Sequence, residues 1–170
     1  MAGLEDRPLA ADQPETVCRL HLRREGFLSS FWLISERSAG PALGVWKKSL
    51  ARESGKLLLG ERRYELGREG LAGDFTMRRR GHAALRATKP SVFSERLVLR
   101  GAGRRLELRS RLFHSGHDVL EHARRIGRCG PTRWYGSNVA LTVDRDLPLE
   151  LAVFTLWLTK LMLERSHNAG

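Results

Sequence analysis

The run LAVFTLWLTKLML, residues 151–163, holds 13 positions of which only Thr155, Thr159 and Lys160 are not apolar. A helix made from it has no polar face, so every side of it must be covered. Lipid is a poor fit, because a bilayer span takes about 20 consecutive apolar residues and a run of about 10 to 14 belongs to a buried core helix. Glu150, Glu164 and Arg165 bound this run, and Lys160 interrupts it. The helix start is marked by Asp146, by Pro148 in a first turn where its missing N–H does no harm, and by Glu150 at the positive end of the dipole. These signals predict a core helix over about 147–165.

What covers it is written in the preceding residues as a repeat. RLHLRREGFLSSFWL (19–33) aligns without gaps on RYELGREGLAGDFTM (63–77), a displacement of 44 that superposes Arg19 on Arg63, Leu22 on Leu66, Gly26 on Gly70 and Phe31 on Phe75. A third copy starts at RLELRSRLF, where Arg105 to Leu108 stand 42 residues after Arg63 to Leu66. The later halves match in outline, LRATKPSVFSERLVL (85–99) on IGRCGPTRWYGSNVAL (126–141), with Pro90 on Pro131 and Phe93 on Trp134. Three units thus fill residues 18–146.

Each unit reads as four short strands. In the second they are RRYELGR, DFTMRRR, AALRATK and ERLVLRG, separated by EGLAG, RGH and KPS. Tyr64 and Leu66, Phe75 and Met77, and Leu97 and Leu99 alternate with polar or charged residues, the period of a half-buried antiparallel sheet. Twelve such strands favour closure, which also removes the sheet edges. The fold class is therefore mainly β (α+β): a twelve-stranded closed antiparallel barrel of three four-strand repeats, threaded by a central hydrophobic C-terminal helix. Within it Thr155 and Thr159 suit hydrogen bonds back to helix carbonyls, and Lys160 is expected to reach the barrel mouth.

Composition agrees with a single domain, since 170 residues with 41% hydrophobic content can build one sizeable core. Domain organisation reads as an acidic leader over 1–16, with four acids, one arginine and no apolar run, followed by a barrel domain over 17–166. Nothing in the leader resembles a signal peptide, which points to the cytoplasm, with a peripheral membrane position open. Cys18 and Cys129 are far apart and outside any C-x-x-C pattern, so both read as reduced thiols.

The chain resembles the superfamily of tubby C-terminal domains, LURP-one-related proteins and phospholipid scramblases. The repeated REG at 24–26 and 68–70, KPS at 89–91 and DLPLELAVFTLWLTKLML at 146–163 carry the likeness, which covers nearly everything after residue 17. It implies a barrel threaded by a hydrophobic helix, and a function of binding acidic phospholipid head groups through basic residues. Neither a tubby phosphoinositide motif nor the calcium-binding and cysteine-rich segments of a scramblase has a counterpart here.

Enzyme chemistry finds little support, for the chain has no phosphate loop, no G-x-S-x-G and no H-E-x-x-H. HSGHDVLEH gathers His114, His117, Asp118, Glu121 and His122, but strand alternation sends His122 away from His117 and Glu121, so it reads as a polar hairpin, not a metal site. Trp32, Trp46 and Trp134 read as core or rim residues. No catalytic residue, cofactor or metal follows. Basic charge is the remaining signal: the net charge is +11, with 25 arginines against 5 lysines, a bias that genome composition alone can also produce. The candidate anion-binding residues are Arg78, Arg79, Arg80, Arg104 and Arg105, in turns of consecutive units, arginine being suited to phosphate by its bidentate geometry. The expected partner is an anionic membrane surface or another phosphate-bearing ligand, engaged by a monomer. The alternative is a non-specific nucleic-acid or protein interaction module.

Overall fold

The structure, a computed structural model, describes residues 18–26, 31–37, 40–49, 53–70, 73–90, 96–111, 116–133 and 137–168. Twelve strands precede one helix: β1 (Cys18–Arg24), β2 (Phe31–Ser35), β3 (Gly44–Lys48), β4 (Gly55–Leu59), β5 (Arg62–Arg68), β6 (Phe75–Arg79), β7 (His82–Thr88), β8 (Arg96–Gly101), β9 (Arg104–Ser110), β10 (His117–Glu121), β11 (Arg124–Pro131), β12 (Val139–Val143) and α1 (Leu149–Asn168). Each strand pairs antiparallel with its neighbours in sequence, and β1 closes on β12 with Leu20 opposite Leu141. The barrel leaves no free edge. The leader at 1–16, together with His114, Phe93 and Trp134, lies outside the described residues.

Alternation decides which side chains enter. On β5, Tyr64 and Leu66 are buried while Arg63 and Glu65 are exposed, and β9 repeats the pattern with Leu106 and Leu108. The four strands read in the second unit recur as β5 to β8 within one residue at each bound, and β1, β5 and β9 begin at Cys18, Arg62 and Arg104, 44 and 42 residues apart. Bulges between Met77 and Arg78 on β6 and between Val119 and Leu120 on β10 shift the register there, so that Leu120 and Glu121 are both buried.

Helix α1 fills the barrel. Every residue from Leu151 to Leu161 is buried, Thr155, Thr159 and Lys160 included. The surrounding strands meet it on all sides: Trp157 packs edge-on against Phe75 of β6 at 6.0 Å, Lys160 Nζ sits 4.5 Å above the Trp32 ring of β2, and Glu150 accepts a 2.9 Å hydrogen bond from Tyr64 of β5. Phe154 stacks on Trp157 within the helix at 5.6 Å. Thr155 donates to the Leu151 carbonyl at 2.9 Å, as its position predicts.

Three details correct the sequence reading. Pro148 stands just before the helix, because its carbonyl accepts the first helical bond from Ala152 N–H at 3.0 Å; the helix so begins at Leu149. It runs on to Asn168, and near that end Ser166 Oγ donates to the Leu163 carbonyl at 2.9 Å, with His167 Nδ1 2.6 Å from the same oxygen. Lys160 does not reach the mouth: it stays inside, held by the Trp32 ring and by Glu164 at 3.3 Å, while Glu164 also takes Lys48 of β3 at 2.7 Å.

A barrel emptied of this helix would enclose a large apolar void. Truncation before Leu147 is therefore expected to abolish cooperative folding, and Leu156→Glu to do the same by burying an unpaired charge. Trp157→Ala should cost about 3–5 kcal/mol in urea denaturation followed by circular dichroism. A cooperative transition in the truncated chain would refute this role for the helix.

Candidate anion-binding site

The up-and-down topology sets four pairs of neighbouring arginines at one end of the barrel. β4–β5, β6–β7, β8–β9 and β10–β11 are joined by the two-residue turns Gly60-Glu61, Arg80-Gly81, Ala102-Gly103 and His122-Ala123. All open toward the end where α1 enters, since Arg62 at the start of β5 donates to Glu150 at 2.8 Å and Arg104 at the start of β9 donates to the Asp146 carbonyl at 3.1 Å. Arg80 and Gly81 have φ of 51° and 81°, and Ala102 and Gly103 have 51° and 71°, the left-handed conformations that let a two-residue hairpin follow the twist of its strands. Such turns are too short to cover what flanks them. Arg62-Arg63, Arg78-Arg79, Arg104-Arg105 and Arg124-Arg125 flank them, and Glu61 is the one acid within the four turns.

Three acids near the opposite end are already paired. Glu69 binds Arg78 at 2.6 Å and Arg86 at 3.3 Å, Asp74 binds Arg86 at 3.0 Å, and Glu53 binds Arg165 and Arg68. The Arg78 guanidinium, followed by burial working the other way, leads the influences that hold the Glu69 carboxyl below the usual carboxylate range. Among the described residues Arg63, Arg79, Arg80 and Arg124 have no acidic partner. On the outer wall Arg86, Arg100 and Arg105 stand directly opposite one another across β7, β8 and β9, a like-charge row that costs the sheet stability.

The five arginines singled out by sequence separate here. Arg79 and Arg80 are exposed on the rim, with only Arg80 in the turn proper. Arg78 lies on β6 and leans to Glu69. Arg105 is exposed on β9, its nearest acid Glu107 at 3.8 Å. Arg104 is structural: Nε and Nη2 grip both oxygens of Glu121 at 2.6 and 2.8 Å, and Arg145 adds a 3.0 Å bond. Glu121 is only 5% exposed, and the Arg104 hydrogen bonds keep its carboxyl below the ordinary range against the opposing effect of burial. This cluster ties β9 and β10 to the segment leading into α1. Sequence reasoning passed over Arg63, although the recurring turn followed by Arg-Arg in ERRY, GRRL and ARRI carries the signal.

HSGHDVLEH does not assemble a metal centre among the described residues. His117 and Glu121 do share the buried face with Val119, but Glu121 is committed to arginines and His122 occupies a turn at φ 49°. Trp32 and Trp46 belong to the core, 5.9 Å apart. Cys18 and Cys129 are free thiols, and burial pushes Cys129 up to about 12, so neither offers a thiolate nucleophile. Among the described residues no helix is long and apolar enough to cross a membrane. Comparisons with protein-family models, curated proteins and solved structures found no match.

Burial lowers His117 from 6.5 to about 4, with Nδ1 unpartnered inside the protein. The unfolded chain therefore binds a proton that the barrel refuses between those values. Stability from this group is complete above pH 6.5 and is lost as pH falls toward 4, by about 3 kcal/mol at about 1.4 kcal/mol per unit. His21 shifts the same way, through burial and then Arg19. Urea titrations at pH 7.5 and 5 are expected to show about 2 kcal/mol of this loss in the wild type and a smaller one in His117→Asn; equal losses would contradict it.

Proposed function

We propose that this chain is a non-enzymatic binding module whose arginine rim at the helix-entry end holds acidic phospholipid head groups or other phosphate-bearing ligands. The observation that carries the reading is the set of arginines without an acidic partner, Arg63, Arg79, Arg80 and Arg124, beside three of the four tight turns at one end of the barrel. Short turns fix the backbone positions from which these guanidinium groups reach a ligand, and arginine presents a planar fork that suits phosphate. The resemblance to tubby C-terminal domains supports the same direction.

Flotation with phosphoinositide-containing and with neutral vesicles at about 0.15 M salt, where the screening length is about 8 Å, tests this. The protein is expected to float with the anionic vesicles, to release them as salt rises, and to ignore neutral ones. Arg79→Ser, Arg80→Ser and Arg105→Ser combined should weaken association about 100-fold, at about 1 kcal/mol for each basic residue near an anionic surface. Thermal stability should be unchanged. Preference for single-stranded or duplex DNA over the vesicles would favour a nucleic-acid module, and association with neither would refute the phosphate reading.

A further inference from the structure

We propose that the outer wall over β3 to β6 carries a separate groove for a single-chain anionic amphiphile, one acyl chain bearing a phosphate. Outward-facing residues form two parallel rows across these strands. Val45, Leu58 and Arg63 stand opposite one another on β3, β4 and β5, and Lys47, Lys56, Glu65 and Arg78 form the next row on β3 to β6. Leu33 of β2, opposite Val45, extends the apolar row. Between the rows and the Arg80-Gly81 turn lies a groove of about 590 Å³, a volume within the range of small-molecule sites.

One feature of the groove is costly without a ligand. Leu58 is 42% exposed, one of two large apolar side chains so placed among the described residues, at an outward position of β4. An acyl chain lying along Val45 and Leu58 removes that cost, and Arg63 and Arg80 at one end of the groove, which have no acidic partner among the described residues, hold the phosphate. Lysine stems extend the apolar surface while their ammonium groups stay in water.

The other ligand classes fit less well. A peptide strand cannot join this wall by backbone hydrogen bonds, because β3 to β6 are each paired on both sides. Stacking of nucleic-acid bases needs exposed aromatic rings, and Tyr64, the aromatic residue of the lining, is buried. Glu65 is the one acid of the lining, beside five basic side chains, so the groove selects an anion without being a bare cationic patch.

The site shares Arg63 and Arg80 with the rim but stands or falls separately, through Leu58 and Glu65, which the rim does not contain. Isothermal titration of the intact chain with oleoyl lysophosphatidic acid, below the concentration at which it forms micelles, reads it out. Saturable one-to-one binding is expected, with oleoyl lysophosphatidylcholine and glycerol 3-phosphate both far weaker because each lacks one half of the match. Leu58→Ser should weaken binding about tenfold, the loss of one buried leucine, Glu65→Gln should tighten it, and the vesicle association of the rim should survive both. Arg79→Ser with Arg105→Ser should leave lysophosphatidic acid binding unchanged. No saturable binding, or affinities indifferent to Leu58→Ser and Glu65→Gln, would overturn the groove whatever the rim does.

Discussion

Enclosure of α1 is the constraint on which the rest of the molecule depends. Eleven consecutive buried residues, Leu151 to Leu161, leave the helix no solvent-facing side, and only a closed wall can cover it completely. The wall in turn needs the helix, because inward side chains such as Leu66, Leu99, Leu108 and Leu141 have a partner surface only when α1 is present. Polar groups at the two ends fix its position: Glu150 is gripped by Arg62 and Tyr64 at entry, and Glu164 and Arg165 are gripped by Lys48 and Glu53 at exit. Burial thus supplies cohesion, while the ionic contacts at the ends set the depth of insertion.

The same topology that closes the barrel decides where its paired arginines fall. An up-and-down meander puts alternate connections at opposite ends, and here the four two-residue turns share the helix-entry end with their arginine pairs. Acids such as Glu69 and Asp74 fall in the connection between β5 and β6 at the other end, and they draw Arg78 and Arg86 toward themselves. The arginine pairs of the entry rim are therefore brought to one end by strand order, although they lie far apart in sequence.

Much of the fold could be read beforehand because it rests on local periodicity. Strands β5 to β8 follow from the alternation of Tyr64 with Leu66 and Leu97 with Leu99, and the helix follows from the absence of any polar face. The site was less legible. Arg104 and Arg63 look alike in sequence, each the neighbour of another arginine after a turn, yet Glu121 lies 2.6 Å from one and no described acid pairs with the other. That difference depends on where a carboxylate 17 residues away lands, which the turns and the β10 bulge decide. Leu58 was equally hidden: in GKLLL three leucines follow one another, and only the pairing register tells which of them faces out.

Native-state hydrogen exchange of the α1 amides tests the enclosure of the helix most directly. If α1 is sealed inside the barrel, the amides of Ala152 to Leu161 exchange only through global unfolding, with a free energy equal to that from urea denaturation. Exchange of those amides as fast as that of the hairpin turns, under conditions where the strands remain protected, would show a helix lying outside the wall and would contradict the account.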